Sequence, residues 1–217
     1  MSLTIEDTFR IISFVPVLLY LTFNKEKNKA KQVLFYFFLF ISLHSIFYAL
    51  IFSFSKTSAI FFNSFFIPIE FILVSLFFYN ARESTLYKKF IKYVSIVFLI
   101  IISLKLFLDP ILDFDSMING FESIIIIAFS ISFFYEHIKN PNKIFIDKDP
   151  YFWGVSGFFL FFSISFFVFL LRQSLWLNID FFYQYIYIHA LSGILRNIIC
   201  SVAFLIKPYK EQVPEFS

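Results

Sequence analysis

Apolar stretches separated by short polar breaks dominate this chain, at about 8–23, 33–53, 59–79, 90–108, 117–136, 151–171 and 181–206. Within each stretch the apolar residues run on almost without interruption. A helix crossing a bilayer needs ~20 such residues, whereas the strands of a membrane barrel would show a two-residue alternation. The breaks carry turn-forming or charged residues: Asn24 to Gln32, Ser55 to Ser58, and the Asp109-Pro110 pair. The pattern predicts an all-α membrane protein, one bundle of seven transmembrane helices occupying residues 1–217. The longest connection, roughly 137 to 150, and the tail after Tyr209 are too short for a soluble domain. No internal repeat of the kind found in many transporters is evident.

The distribution of bases sets the expected orientation. Lys25, Lys27, Lys29 and Lys31 fill the first connection, and Arg82, Lys88, Lys89 and Lys92 lie in or just after the third. Lys139, Lys143 and Lys148 follow in the fifth, with Lys207 and Lys210 in the tail. That side holds thirteen bases, against four on the other, namely Arg10, Lys56, Lys105 and Arg172. Cytoplasmic loops carry the excess of Lys and Arg, so the N-terminus is expected outside and the C-terminus in the cytoplasm. The acidic residues Asp109, Asp113 and Asp115 fall on the outer side.

Composition narrows the class further. Of 217 residues, 59% are hydrophobic and 15% charged, against ~25% charged in ordinary globular domains. This excludes a soluble enzyme, a disordered protein and a nucleic-acid binder, since so much apolar surface could not face water. A single cysteine, Cys200, leaves no internal disulfide and no cysteine-based metal cluster. Glu6 and Asp7 precede the first base, Arg10, so the start lacks the basic region of a cleaved signal peptide and the first helix is expected to stay in the membrane. The 38 phenylalanines suit either lipid-facing bulk or a cavity lined with rings.

In such a chain the informative residues are polar ones at membrane depth, each costing ~2.5–3.5 kcal/mol at a helix centre and so directed to the bundle interior. His44, Glu70, Glu122, His189 and Arg196 stand out. Tyr185, His189, Ser192 and Arg196 share one helix face by spacing, with Gly193 beside them allowing a neighbouring helix to approach. Asn63 and Glu70 share a face of the third span, and Asn119 and Glu122 one of the fifth. Arg196 lies eleven residues before Lys207, too deep to reach the inner interface freely. Depth along the spans predicts that Arg196 pairs with Glu70, and that His189 and Gln184 lie nearer Glu122. Buried pairs that merely set helix register explain the same residues. His44, beside Ser42, Ser45 and Tyr48, reads as a hydrogen-bonded core histidine, a proton relay or a metal ligand. Pro68 is expected to kink the third span, and Gly154, Ser156 and Gly157 to form a packing surface.

Catalytic signatures are missing. The chain has no GxSxG, no HExxH and no Gly-rich phosphate loop, and just four glycines in all. Three histidines, with Gly193 four residues after His189, supply a zinc site poorly. No catalytic residue, metal or cofactor is assigned from the sequence.

Several segments resemble uncharacterised seven-helix inner-membrane proteins of the Bacteroidota type. They are Phe65-Phe66-Ile67-Pro68-Ile69-Glu70-Phe71, Phe121-Glu122-Ser123-Ile124, Asp149-Pro150-Tyr151-Phe152-Trp153, Ile188-His189-Ala190 and Arg196-Asn197-Ile198, within residues 33 to 207. That group is similar to the sensory regions attached to histidine kinases. The resemblance implies a bacterial inner-membrane location, a sensory role, and polar positions at Glu70, Glu122, His189 and Asn197. The expected function is therefore a receptor-like module binding a small or lipidic ligand in an outward-facing intramembrane cavity. Glu70, Glu122, His189, Arg196, Asn63, Gln184 and His44 would line it or form its buried polar network. Its partners would be the lipid bilayer, that ligand and a separate membrane or cytoplasmic protein. The alternatives are a small-solute or proton-coupled transporter, a structural subunit of a membrane complex, and an intramembrane lipid-modifying enzyme.

Overall fold

The computed structural model describes residues 5–23, 28–108, 116–139, 146–175 and 179–206. The Asp109-Pro110 turn, Asp113, Asp115, Lys25, Lys27, Lys143, Lys207 and Lys210 lie outside the described residues, as do the side chains of Glu6, Asp7, Arg172 and Tyr185. The described residues are helical, in the order α1 (Ile5–Ser13), α2 (Val15–Phe23), α3 (Lys29–Phe54), α4 (Lys56–Ser64), α5 (Phe66–Ala81), α6 (Thr85–Leu108), α7 (Ser116–Lys139), α8 (Pro150–Leu175) and α9 (Ile179–Leu205). One 3₁₀ turn precedes α8.

Six of these helical stretches are long and apolar enough to cross a membrane, with α4 and α5 together forming one. At a rise of 1.5 Å per residue, the 26 residues of α3 extend about 39 Å, beyond the ~30 Å hydrocarbon core. The first apolar stretch is shorter. Thr8–Phe23 reaches about 24 Å and is broken at Phe14. The chain is thus a multi-pass membrane protein with six span-length helical stretches and one shorter apolar segment among the described residues, where the sequence predicts seven spans.

Both helix breaks have a proline as cause. Pro16 and Pro68 lack an N–H and their rings crowd the carbonyl four residues earlier, so the helix yields at Phe14 and Phe65. The break at Phe65 lies three residues before the predicted kink site. Ser42 of α3 covers the first break, its hydroxyl donating to the Ser13 carbonyl at 3.0 Å. Other helix ends are capped as their residues dictate. Asn28 accepts from the amides of Ala30 and Lys31, and Ser55 closes α3 with its amide and opens α4 with its side chain. Asp149 accepts from the Tyr151 amide at 2.9 Å ahead of Pro150, which needs no donor in the first turn.

The core is a stack of rings, with Phe37, Phe38, Phe71, Phe77, Phe78, Phe129, Phe133 and Phe158 almost wholly buried. α8 lies centrally, packed along α7 and α9, whereas α6 packs mainly against α5 and keeps an outward apolar face that includes Tyr93, Val97, Ile100 and Leu104. Gly157 explains how closely α8 and α9 approach, since a Cβ there would collide with Cys200. Gly193 does the same on another side, where a Cβ would strike the ring of Phe9 and push α1 away from α9.

Candidate functional site

A cavity of about 280 Å³ lies inside the bundle, between α1, α3, α4, α5 and the neighbouring parts of α7, α8 and α9. It gathers six of the residues singled out from the sequence: His44, Asn63, Glu70, Glu122, His189 and Arg196. Their helix positions explain the convergence. The starts of α5, α7 and α9 and the far end of α8 meet in the same half of the bundle. Gln184 is not among the lining residues and its side chain is exposed. It precedes His189 by five residues, about 140° around the helix, and so projects from a different face.

The strongest contact is an ion pair. Arg196 Nη1 donates to Glu70 Oε1 at 3.2 Å, and the two residues are 2% and 6% exposed. The guanidinium is held between rings, 4.1 Å from the centroid of Phe161 and 5.1 Å from that of Phe37. Its Nε reaches Asn197 Oδ1 at 3.5 Å. Charge pairing, ring stacking and a polar neighbour together hold a deep arginine in one place. The predicted partnership of Glu70 and Arg196 is therefore present as a direct contact.

Glu122 differs. It lines the same cavity and is only 2% exposed, yet its Oε1 accepts no hydrogen bond from any described residue. Taking a carboxyl out of water without a donor is costly, and this one has neither a base in direct contact nor a local amide as partner. Ser123, its neighbour, turns inward to its own helix, donating to the Asn119 carbonyl at 2.7 Å.

His44 is packed among rings, its centroid 4.4 Å from Phe66 and 5.0 Å from Phe62, the latter almost parallel. Its Nε2 has no hydrogen-bond partner among the described residues, so the core histidine expected from the sequence is stacked where a hydrogen bond at that atom was anticipated. His189 sits 5.4 Å from Phe161 and 5.5 Å from Phe169. Ser192 donates to the His189 carbonyl at 2.8 Å, leaving the ring of His189 to face α8. Among the described residues no group of three His, Cys, Asp or Glu side chains is placed to hold a metal ion.

Several lining residues escaped the sequence reading. Phe9 enters from α1, and Ile41 and Ser45 from α3. Nothing in an apolar first stretch reveals which ring will turn inward. The small Gly193 opposite Phe9 was the available signal.

A second polar cluster, at the opposite end of the bundle, also escaped. Arg82, just past α5, donates to Glu136 Oε2 at 3.0 Å, to the Phe129 carbonyl at 2.5 Å and to Ser132 Oγ at 2.6 Å, all on α7. Lys31 at the start of α3 donates to the Ile206 carbonyl at 2.7 Å, just beyond α9. His137 Nε2 lies 3.4 Å from Asp149 Oδ2, joining α7 to α8. Arg82 and Lys31 counted as loop charges in the orientation argument, and nothing in the sequence marks either as buried.

Comparison with protein-family models, with curated proteins and with solved structures found no match for this chain.

Proposed function

We propose that the chain is a receptor-like membrane module that binds a small ligand in the cavity beside Glu70, Glu122 and Arg196 and acts through a separate partner protein. The observation carrying this reading is the carboxyl of Glu122, without a hydrogen-bond partner at Oε1 among the described residues, in a cavity at membrane depth. A purely structural network would be expected to satisfy each of its members, and the Glu70–Arg196 pair beside it shows how that is done. In the orientation that the bases favour, with seven spans and the N-terminus outside, the cavity lies in the outward half of the bundle. Lys31, Arg82 and Lys139 then lie at the cytoplasmic end of an inner membrane, where they meet anionic headgroups and a partner. The resemblance to sensory seven-helix regions agrees with this assignment.

The volume speaks against a lipid as ligand. Pockets for small molecules run from ~300 to 1,000 Å³, and about 280 Å³ sits at the lower edge. The test is gentle purification of the full chain followed by native mass spectrometry, for the wild type and for Glu70→Gln and Arg196→Gln. A small molecule retained by the wild type and lost from a variant that keeps its melting temperature supports the proposal. The same protein partner in all three, with no small molecule in any, overturns it in favour of a structural subunit.

A further inference from the structure

The charge inventory of the cavity names a ligand class, on the reading just proposed. Its lining holds two carboxyls, Glu70 and Glu122, and one guanidinium, Arg196. Arg196 is already committed to Glu70 at 3.2 Å and stacked on Phe161. Glu122 is thus a second acidic group, 98% shielded from solvent, whose Oε1 has no donor among the described residues. An anionic ligand would lie beside two carboxyls, with the one guanidinium already paired to Glu70. A positively charged ligand needs no such rearrangement, since it meets a vacant acceptor.

The rest of the wall selects among cations. Phe9, Phe66, Phe161, Phe162 and Phe169 surround the space. Rings attract ammonium and guanidinium groups through their faces, whereas a hard metal cation of the calcium or magnesium type requires about six or more oxygens. Here Glu70 is already engaged by Arg196, and among the described residues no three His, Cys, Asp or Glu side chains are grouped to hold a metal ion. The volume of about 280 Å³ suits a compact molecule.

We infer that this cavity binds a compact organic cation carrying N–H donors, its ammonium on Glu122 and its apolar part against the phenylalanine rings, with the Glu70–Arg196 pair closing the site. A charge-assisted hydrogen bond to Glu122, in a site away from water, would supply most of the selectivity.

Three probes of nearly identical shape test this: phenethylammonium, phenethyl alcohol and phenylacetate, each titrated calorimetrically into the full chain in dodecyl maltoside. Sodium chloride at matched ionic strength is the fourth arm. The wild type is expected to bind phenethylammonium at least about tenfold more tightly than the alcohol, and phenylacetate and sodium not at all. Glu122→Gln is expected to reduce the preference for the cation over the alcohol to near unity, and Glu122→Asp to keep part of it. The comparison among probes stands on the wild type alone, so a variant that fails to fold does not remove the test. Equal binding of amine and alcohol, preferred binding of phenylacetate, or displacement of the amine by sodium overturns the inference while leaving a ligand-binding cavity. Absence of binding by every probe overturns the inference and counts against the proposed receptor role, which the co-purification experiment judges independently.

Discussion

The two ends of this bundle handle buried charge in opposite ways. At the end holding Arg82, a single guanidinium joins the terminus of α5 to α7 through Glu136, the Phe129 carbonyl and Ser132, and is covered by the rings of Tyr87 and Phe133. Lys31 and the His137–Asp149 contact tie further helix termini there. Apart from Arg82 Nε, which has no partner among the described residues, that end uses its charges to hold helices together. The cavity end also has one well-made pair, Glu70 with Arg196, but adds Glu122, whose Oε1 has no donor among the described residues. Charge that is fully paired is explained by packing. Charge left over in a cavity is a cost to folding that function can justify.

This contrast breaks most sharply at Arg196. Arg196→Ala leaves Glu70 and Glu122 together in a low-dielectric space without a base, and is expected to cost about 3–5 kcal/mol, the range for removing one partner of a buried pair. Reversible unfolding in mixed micelles with increasing dodecyl sulfate measures it. Combining Arg196→Gln with Glu70→Gln should recover part of the loss of either single variant. Strict additivity would mean that the 3.2 Å contact carries little coupling.

Arg82→Ala tests the other end. It removes three hydrogen bonds and leaves Glu136 partly buried, for an expected loss of about 2–4 kcal/mol in the same assay. The variant should leave ligand binding in the cavity unchanged when corrected for folded fraction. If it abolished binding at full folding, the two ends would be coupled and the separation drawn here would fail.

Gly193→Leu places a side chain where the ring of Phe9 now lies. Overpacking at such a contact costs about 1–3 kcal/mol. Because Phe9 lines the cavity, displacing its ring should also weaken phenethylammonium binding, and removing that ring in Phe9→Ala should restore stability.

Glu122→Gln has the smallest expected effect on stability, within about 1 kcal/mol of wild type or slightly stabilising, because it replaces a buried carboxyl that lacks a partner at Oε1 among the described residues while keeping the shape. A loss as large as that of Arg82→Ala would show that Glu122 is a structural group with a partner, and would remove the contrast between the two ends.

Much of this was legible in the chain itself. Long apolar runs locate the span-length helices, since each must satisfy its own backbone in lipid. Glu70 and Arg196 could be matched because residues at comparable depth on parallel spans have few other candidates. Helical phase was less forgiving, as Gln184 shows: five residues from His189, it was grouped with the cavity by depth alone and falls on another face. The proline effects were foreseen in kind at Pro68, while the breaks at Phe14 and Phe65 depend on which upstream carbonyl each ring displaces. Arg82 and Lys31 were read as topological charge because exposure at a helix end is a property of the neighbouring helix, not of the residue.

By itself, then, the sequence determined a helical membrane protein and the set of polar residues that lipid would not tolerate, because insertion energetics act on each segment separately. Only the tertiary structure decided which of those residues meet. Pairing depends on helix rotation and on contacts such as Gly193 with Phe9, which no single segment encodes. It joined Arg196 to Glu70, filled the other end with Arg82 and Glu136, and left Glu122 facing a space with no donor of its own.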